Sequence, residues 1–375
     1  MIAIVGAGPA GLSQAISLVL FASIPASSIQ IFEQRPAYTR TTFVLLNGPT
    51  VERLQCMGVR QILLRNQAIG NCRDLYLLDD MSKHTYTHEN VPTNPLFRPV
   101  DVDELICAQL NGVGFVSVSL QDLETALKER AVELGITFIT KKVQQLVSNG
   151  LCYSIQTDEI IDFDLIIIAE GAKRNLISRD LGFSTKLLSQ RDIFVRVHVS
   201  PVGPVVAVGK NGGKRLLYGD SAHSRDALVF LQYPKDKLDE INTGTEHFFS
   251  NASNGSLNAV QEYGSKATLD FLSQLPIHPS PKITSIAPET FVVQDKVLSQ
   301  AMIQNVAVVG DAFRQGHFFT GLGTNLALVA DCDLVISLVH GMLLGDPMSA
   351  EEFNDNMLSI AEMLVNTDLN TWFSE

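Results

Sequence analysis

The sequence predicts an α/β fold with an interleaved α+β portion that contains an antiparallel sheet. Three observations lead to this prediction. The N-terminus has an apolar strand, a glycine turn and a helix in succession, which is typical of a parallel strand and its crossover. Residues 193–233 form short alternating strands, as in an antiparallel sheet. Residues 306–309 then return to the continuous apolar pattern of a buried parallel strand.

Composition and charge narrow the class of protein. The 375 residues are enough for two domains or for one large domain with an insertion, and 46% apolar with 18% charged residues is a core-forming composition. The net charge of −12 argues against non-specific binding to nucleic acid or to an anionic membrane surface. We therefore expect a globular protein that does not bind nucleic acid.

Cysteine usage and apolar runs predict the compartment. The five cysteines are scattered and form no CxxC pair, so we expect no metal site and reduced thiols in a cytoplasmic protein. Residues 2–5 already have the pattern of a strand and no basic segment precedes them, so we expect no signal peptide. Residues 12–22 are apolar but too short to span a bilayer, so we predict a buried helix and no transmembrane segment.

The first glycine loop is Gly6-Ala7-Gly8-Pro9-Ala10-Gly11, between a strand at residues 2–5 and a helix at residues 9–22. In this spacing the first glycine permits the tight turn, and the second lets the backbone approach a diphosphate. The third allows the helix to pack closely on the strand. The N-terminus of the helix then favours the phosphates. The loop predicts a dinucleotide site but does not separate FAD from NAD.

An acid follows at the end of the second strand, residues 29–33. A carboxylate at Glu33 can accept hydrogen bonds from both hydroxyls of an adenosine ribose. It would also repel a 2′-phosphate, so the adenosine bound here should not belong to NADP. A glycine turn that binds nothing would leave Glu33 unexplained.

The remaining elements divide the chain into two interleaved parts. Helices are predicted at residues 50–67, 121–135 and 236–275, a hairpin at 151–162, a buried strand at 164–169, and a return to the α/β pattern at 291–293. The nucleotide-binding portion is predicted at residues 1–70, 100–180 and 285–345, and the substrate portion at 71–99 and 181–284. Residues 346–375 form an amphipathic tail that should pack on the core, the alternative being a helix that binds a partner.

Two later segments carry a family resemblance. Val309-Gly310-Asp311-Ala312, followed by Gly321-Leu322-Gly323-Thr324-Asn325, resembles the Gly-Asp motif of the group A flavoprotein monooxygenases related to p-hydroxybenzoate hydroxylase. Ala169-Glu170-Gly171-Ala172-Lys173-Arg174-Asn175 resembles their Asp-Gly motif, with Glu170 in place of the aspartate. All three motifs occur in the family's order. A looser resemblance, in residues 38–45, 119–135 and 173–175, is to the monooxygenase domain of MICAL proteins.

The resemblance implies an FAD-binding, Rossmann-like domain of the glutathione-reductase type. Asp311 would accept a hydrogen bond from a ribityl hydroxyl, and the backbone of the helix that follows would contact the flavin ring. Arg40 would lie near the diphosphate, unless it is an exposed loop residue, and Gln121 near the phosphates, unless it is an ordinary helix N-terminal residue. The predicted FAD-binding residues are Gly6, Gly8, Pro9, Ala10, Gly11, Glu33, Gln34, Arg35, Arg40, Gln121, Gly310, Asp311, Gly321, Gly323, Thr324 and Asn325.

The same resemblance implies the chemistry. NADPH or NADH reduces FAD, the reduced flavin takes up O2, and a flavin C4a-hydroperoxide transfers one oxygen atom to a small-molecule or protein substrate. Glu170, Gly171 and Arg174 would link FAD to the use of NAD(P)H. His317 is the candidate catalytic residue, with a structural histidine as the equal alternative. Arg196, His198 and Tyr218 are candidates for the substrate pocket.

Three other functions remain to be weighed. An FAD-dependent reductase or dehydrogenase, such as a saturase of prenyl chains, would explain the unusual Glu170. A flavoprotein that binds a partner without catalysis would explain the amphipathic tail. A flavin halogenase is disfavoured, because Trp372 is the single tryptophan and that class has a paired-tryptophan motif. The sequence leaves the substrate and the oligomeric state open.

Overall fold

The structure is a computed structural model that describes most of the chain. The described residues are 1–40, 42–69, 72–77, 82–87, 96–110, 116–188, 192–202, 205–209, 213, 215–219, 227–234, 254–277, 280–293, 295–316 and 321–366.

The helices within this part are α1 Pro9–Leu20, α2 Gly48–Cys56, α3 Val59–Arg65, α4 Val102–Leu110, α5 Leu120–Glu133, α6 Asn254–Leu272, α7 Leu322–Leu328, α8 Ala330–Leu344 and α9 Ser349–Asn366. The strands are β1 Ile2–Val5, β2 Ile29–Phe32, β3 Phe43–Leu46, β4 Cys72–Leu77, β5 Ser82–Thr87, β6 Val116–Ser119, β7 Thr137–Ile139, β8 Gln145–Ser148, β9 Tyr153–Gln156, β10 Ile160–Asp162, β11 Leu165–Ile168, β12 Thr185–Leu187, β13 Asp192–Ser200, β14 Val205–Gly209, β15 Arg215–Gly219, β16 Ala227–Gln232, β17 Lys282–Val293, β18 Lys296–Leu298, β19 Met302–Ile303, β20 Val306–Val308 and β21 Arg314–Gln315.

A six-stranded sheet forms the nucleotide-binding portion. Its order is β19-β20-β11-β1-β2-β7, and every pair is parallel except β19 with β20. All four residues of β1 and of β11 are buried, as their unbroken apolar runs predict for central parallel strands. Because β1 lies between β11 and β2, the chain ends that follow these three strands meet at one edge of the sheet.

A seven-stranded sheet forms the second portion, in the order β17-β13-β16-β15-β14-β4-β5. Its neighbours pair antiparallel except β14 with β4, which confirms the predicted antiparallel sheet. The prediction for residues 291–293 was wrong, because these residues lie in β17 and pair with β13. The sheet therefore extends past residue 285, where we had placed the return to the nucleotide-binding portion.

The helix predicted at residues 50–67 is two helices, α2 and α3. The helix is interrupted at Gly58, which has a φ of +79°. This is a left-handed conformation that glycine adopts with little steric strain. A Cβ at Gly58 would lie 3.0 Å from Nε of Arg130, which donates a hydrogen bond to the carbonyl of Met57 at 2.8 Å. Apolar periodicity carries over this break, so the periodicity alone did not reveal it.

Helix α9 packs into the main core, as predicted for the amphipathic tail. Phe353, Met357 and Ile360 are buried among the residues of the nucleotide-binding portion. The side-chain carbonyl of Asn354 accepts hydrogen bonds from the backbone amides of Ala301 and Met302, at 2.7 and 2.8 Å. This helix therefore closes the edge of the six-stranded sheet at β19.

One helical stretch in the described residues, Leu322–Leu344, is long and apolar enough to cross a membrane by length and composition. An 18-residue window within it has a mean hydropathy of 1.8, and 61% of that window is buried inside the protein. The structure divides it into α7 and α8, which pack against α1 and α9. An apolar helix of this kind is also what the core of a globular protein requires, so the stretch is weak support for a membrane span.

The packing of α9 gives a test of the fold. Phe353→Ala should lower the free energy of unfolding by about 3–5 kcal/mol, because a fully buried phenylalanine leaves a cavity when truncated. Ser359→Ala on the exposed side of α9 is the control and should change the free energy by less than about 0.5 kcal/mol. Denaturant titration of both variants measures the difference, and equal values would contradict the core position of α9.

Candidate dinucleotide-binding site

The glycine loop fits no larger residue at two of its positions. Gly6 has a φ of +106°, and a Cβ there would lie 2.4 Å from the carbonyl oxygen of Ala169. A Cβ at Gly11 would lie 2.0 Å from the carbonyl oxygen of Gly6, because α1 packs directly on the end of β1. The first and third glycines therefore have the steric roles that their spacing predicts.

The three motifs meet around this loop, although they are far apart in the chain. Gly6 touches the second motif, since a Cβ there would also lie 3.3 Å from Cα of Glu170. Gly310 of the third motif has a φ of +61°, and a Cβ there would lie 2.8 Å from Cβ of Ala10. The hydroxyl of Ser13 donates to the carbonyl of Ala10 at 2.9 Å and approaches that of Ala327 in α7 at 3.5 Å.

A cleft of about 710 Å³ opens at this meeting point, within the size range of small-molecule sites. Its basic lining residues are Arg35, Arg40, Lys141, Lys142, Lys173 and Arg179. Its acidic lining residues are Glu33, Glu170 and Asp311. Basic residues thus exceed acidic ones in the cleft of a chain whose net charge is −12. This local surplus of positive charge suits an anionic ligand.

The N-terminus of α1 points to the same kind of ligand. Gly8 is its N-cap residue, Pro9 begins the helix, and Gly6 and Gly8 line the cleft. No side chain caps α1, and its first turn has no acidic residue. The free N–H groups and the positive end of the helix dipole are therefore open to an external anion.

Glu33 ends β2 at the rim of the cleft, with both carboxylate oxygens engaged. Oε2 accepts from the backbone amide of Ala7 at 3.0 Å and from Nη2 of Arg35 at 2.8 Å. Oε1 accepts from the backbone amide of Arg35 at 2.8 Å and from its Nε at 3.2 Å. Burial raises the pKa of Glu33, but the hydrogen bonds from Arg35 and Ala7 outweigh it and the net pKa is lowered.

Arg35 and Arg40 converge on Glu124, which belongs to none of the three motifs. Nη2 of Arg40 lies 2.5 Å from Oε1 of Glu124, and both terminal nitrogens of Arg35 lie 3.4 Å from the same oxygen. Arg40 lines the cleft, and the buried carboxylate of Glu124 holds its guanidinium in place. Gln121 is exposed, and its backbone amide donates to the carbonyl of Arg40 at 3.0 Å.

Glu170 lines the cleft and caps the turn that follows it. Its carboxylate accepts hydrogen bonds from the backbone amides of Leu176, at 3.0 Å, and Ile177, at 3.3 Å. Burial raises the pKa of Glu170, while these backbone hydrogen bonds oppose the rise. Glu170, which stands where the family has an aspartate, thus stabilises a local turn. The next residue, Gly171, has a φ of +76°.

Arg174 is a buried link between the second and third motifs. Its Nη2 donates to the carbonyl of Phe313 at 2.9 Å, and its Nη1 lies 3.5 Å from the hydroxyl of Thr185. Its φ of +49° is left-handed, and burial lowers its pKa. The side chain therefore contacts the loop after Asp311 rather than the described lining of the cleft.

Asp311 lines the cleft at the start of the third motif. Its exposed surface lies inside the cleft, and protein surrounds the rest of the side chain. Desolvation raises the pKa of Asp311; Arg40, Arg314 and Arg174 oppose this rise, and Asp331 adds to it. Polar ligand groups that donate hydrogen bonds, such as hydroxyls, would suit this carboxylate.

A buried ion pair holds the third motif in place. Arg314 and Asp331 are joined at 2.6 Å, and Asp331 also accepts from the backbone amide of Gly310 at 2.8 Å. Both side chains are buried, and Nη1 of Arg314 approaches the sulfur of Met357 in α9. The guanidinium of Arg314 is enclosed between α8 and α9 and is not part of the lining of the cleft.

Helix α7 begins beside Asp311, as the glycines after the third motif predict. Gly321 is its N-cap residue with a φ of +63°, and a Cβ at Gly323 would lie 4.0 Å from Oδ1 of Asp311. The buried side chain of Asn325 donates to the carbonyl of Leu45 and accepts from the amide of Asn47. Asn325 thus ties α7 to the segment between β3 and α2.

The predicted residues divide into three groups. Those that line the cleft are Gly6, Gly8, Glu33, Gln34, Arg35, Arg40, Glu170, Gly171 and Asp311. Those that shape its surroundings without being part of that lining are Pro9, Ala10, Gly11, Gln121, Arg174, Gly310, Gly321, Gly323, Thr324 and Asn325. His317 and the side chain of Tyr218 lie outside the described residues.

Sequence reasoning missed several charged residues of the site. Lys141 and Lys142 line the cleft but belong to no motif, and Lys173 lies within the second motif but was not assigned to the site. Glu124 had a signal that we did not use, because it lies on the apolar stripe of α5, where a charge is unexpected. Asp331 had a similar signal, as an acid inside the apolar run of α7 and α8. No group of residues in the described part could hold a metal ion.

The seven-stranded sheet has two distinct faces. Val195, Val197 and Val199 of β13 pack into the core under α6. Arg196 and His198 alternate with them and lie on the opposite face, where Arg196 is paired across strands with Phe230. Within the described residues Arg196 makes no ion pair, and its Nε is buried without a hydrogen-bond partner. The face away from α6 is therefore the better candidate for a substrate surface.

Comparison with known proteins identifies the fold. No protein-family model and no curated protein matches the chain by sequence. Among solved structures, the flavin-dependent brominase Bmp2 superposes with a TM-score of 0.71 at 11% identity, over 99% of this chain and 87% of that chain. The p-nitrophenol 4-monooxygenase PnpA from Pseudomonas putida DLL-E4 gives 0.68 at 13% identity, over 99% and 88%.

A third structure is a ternary complex of aklavinone-11 hydroxylase with FAD and aklavinone, with a TM-score of 0.60 at 16% identity, over 92% of this chain and 62% of that chain. The chain therefore has the fold of the group A flavin-dependent monooxygenases, as the resemblance of its motifs predicted. Because a brominase shares this fold, the fold alone does not separate oxygen transfer from halogenation.

The hydrogen bonds of Glu33 predict a pH dependence. Its pKa is lower in the folded chain than the ordinary 4.5, so its stabilising contribution is present above pH 4.5 and is lost as the pH falls through the folded value. Glu33→Gln should lower the free energy of unfolding at pH 7 by about 1–3 kcal/mol. The difference from the wild type should shrink as the pH falls below 4.5.

Denaturant titrations across this pH range measure the effect. Glu129→Gln is the control, because Glu129 forms an exposed ion pair with Arg65 and should contribute less than about 1 kcal/mol. A destabilisation by Glu33→Gln that is the same on both sides of pH 4.5 would show that the charge of Glu33 does not stabilise the loop.

Proposed function

We propose that this chain is an FAD-dependent monooxygenase that uses NADPH or NADH and O2 to oxygenate an organic substrate. The observation that carries the proposal is the meeting of the three motifs at one cleft. Gly6 touches the second motif and Ala10 touches the third, and Asp311 shares the cleft with the glycine loop. This arrangement supports one ligand site in which groups suited to a diphosphate and groups suited to hydroxyls lie together.

The residues present fit FAD. The uncapped N-terminus of α1 and the guanidinium of Arg40 suit the diphosphate. Asp311 suits the hydroxyls of the ribityl chain. Glu33 is the candidate for those of the adenosine ribose, where they would compete with Arg35 for its oxygens. Gly6 and Gly8 line the cleft with backbone and no Cβ, so the ligand would lie directly on the main chain there.

When bound, FAD would accept a hydride from the nicotinamide cofactor and then activate O2, so that one oxygen atom enters the substrate and the other leaves as water. The chain's own residues bind and orient. Arg40 neutralises diphosphate charge, and Asp311 fixes the ribityl end. The Arg314–Asp331 pair holds the loop that carries Asp311 in place. The sheet face with Arg196 and His198 would orient the substrate, and His317 remains a candidate for proton transfer.

A reduction experiment tests the proposal. The protein, loaded with FAD, is mixed without oxygen with NADPH or NADH, and the visible absorbance of the flavin should be lost. Admission of isotopically labelled O2 with a panel of phenolic substrates should place one labelled atom in the product. Reduction followed by saturation of a substrate without O2 would favour a reductase or dehydrogenase. A chain that binds FAD but is never reduced would favour a non-catalytic flavoprotein.

The role of Asp311 can be tested by binding alone. Asp311→Ala should raise the Kd for FAD at least about tenfold, because a hydrogen bond to a charged group contributes about 1.5–3 kcal/mol. The substitution should not lower the melting temperature of the protein without FAD, since burial disfavours the charged carboxylate. Flavin fluorescence quenching measures the Kd.

The control for this experiment is Asp355→Ala, which removes an exposed acid of α9 and should leave the Kd unchanged. Full FAD affinity in Asp311→Ala would contradict the assignment of the third motif. That result would not contradict the proposed contacts of the diphosphate with α1 and Arg40.

A further inference from the structure

Glu124 is a fully buried carboxylate beside the glycine loop. It lies in the second turn of α5, between the core residues Leu123 and Leu127, and its side chain is 0% exposed. A buried carboxylate must be paired, because its desolvation is otherwise too costly. Its partners are the guanidinium groups of Arg35 and Arg40, both of which line the cleft.

The contact with Arg40 has a defined geometry. Nη2 of Arg40 lies 2.5 Å from Oε1 of Glu124, and Nε lies 3.4 Å from Oε2. Nε and Nη2 form one edge of the planar guanidinium, so this edge faces Glu124 and fixes the plane of the group. Nη1 makes no hydrogen bond within the described residues, and 44% of the side chain is exposed. The opposite edge is therefore free for a ligand.

The pair lies directly over the diphosphate loop. A Cβ at Gly8 would be 3.6 Å from Nη2 of Arg40 and 3.8 Å from Oε1 of Glu124. The backbone also pins Arg40 to the start of α5, since the amide of Gln121 donates to its carbonyl at 3.0 Å. The direction of the Arg40 side chain is thus set from both its backbone and its far end.

We propose that Glu124 is a positioning residue for the diphosphate of the bound dinucleotide, acting through Arg40. The inference rests on the proposed function in that it takes the ligand to be a dinucleotide. Glu124 holds the guanidinium of Arg40 over Gly8 before the ligand arrives. Ordering a long side chain on binding costs about 0.5–1.5 kcal/mol, and a side chain that is already ordered avoids that cost.

The charge of Glu124 works against this effect, which makes the proposal testable. A carboxylate near Gly8 repels a phosphate, so a residue that only neutralised Arg40 would weaken binding. Glu124→Gln removes both the repulsion of the phosphate and the charged hydrogen bonds that order Arg40. The sign of the change in affinity therefore reports which effect is larger.

The experiment measures equilibrium binding of ADP, adenosine and FAD to the protein without cofactor. Glu124→Gln should raise the Kd for ADP and for FAD about tenfold, equivalent to about 1.4 kcal/mol, and leave that for adenosine unchanged. Arg40→Lys keeps the charge but loses the planar fork, and should weaken ADP similarly. The two substitutions together should weaken ADP no more than either alone, because they remove one shared interaction.

Asp333→Asn is the matched control. Asp333 is a largely buried carboxylate that pairs with Arg53 at 2.7 Å, and neither residue lines the cleft. This variant should lose stability but bind ADP with the wild-type Kd. If Glu124→Gln folds poorly, Arg40→Lys alone still tests the contact, because Arg40 is half exposed and its substitution spares the core.

The outcomes separate this inference from the proposed function. An unchanged or lower Kd for ADP in Glu124→Gln, or strictly additive effects with Arg40→Lys, would overturn the positioning role. Equal losses for adenosine and ADP would also overturn it, since they indicate general damage to the site. If the wild type binds ADP but not FAD, and Glu124→Gln weakens ADP, the positioning role stands and the proposed function fails.

Discussion

The site depends on backbone meeting backbone at Gly6 and Gly11. A Cβ at Gly11 would come within 2.0 Å of the carbonyl oxygen of Gly6, and one at Gly6 within 2.4 Å of that of Ala169. These contacts draw α1, β1 and the segment after β11 together with no side chain between them. Glycine supplies both the space and the left-handed φ that Gly6 needs. The cleft is consequently lined by the backbone of Gly6 and Gly8, beside the uncapped N-terminus of α1, which suits an anion.

Two buried carboxylates extend this constraint to the side chains. Glu124 holds Arg40 over the loop, and Asp331 holds Arg314 and the amide of Gly310. Breaking such a pair leaves a charge stranded in the interior, which costs about 3–5 kcal/mol, so each pair fixes the position of its loop. Two acidic residues thus hold arginines in place near the cleft, and the lining still has more basic than acidic residues. Local arrangement, rather than the net charge of −12, decides which ligand this cleft suits.

How far the sequence predicted this site depends on how local each feature is. The turn from β1 to α1, the acid after β2 and the glycines before α7 are each encoded within a few residues, and all were found. Glu124 meets Arg40 across 84 residues, and periodicity reports that a position is buried but not which partner it has. The pairing of β17 with β13 was missed for the same reason, because it depends on a distant segment. The helix break at Gly58 had a local signal, the glycine itself, which we did not use.

A cleft lined partly by backbone also explains how this fold is kept at 11–16% identity to the solved structures that share it. Glycine backbone lines part of the cleft, so few side chains are required there, and most of the sequence can differ while the fold is kept. On β13 the valines face the core under α6, while Arg196 and His198 occupy the other face, beside the buried Phe194 and Phe230. A brominase and a hydroxylase share this fold, so the fold alone leaves the substrate open.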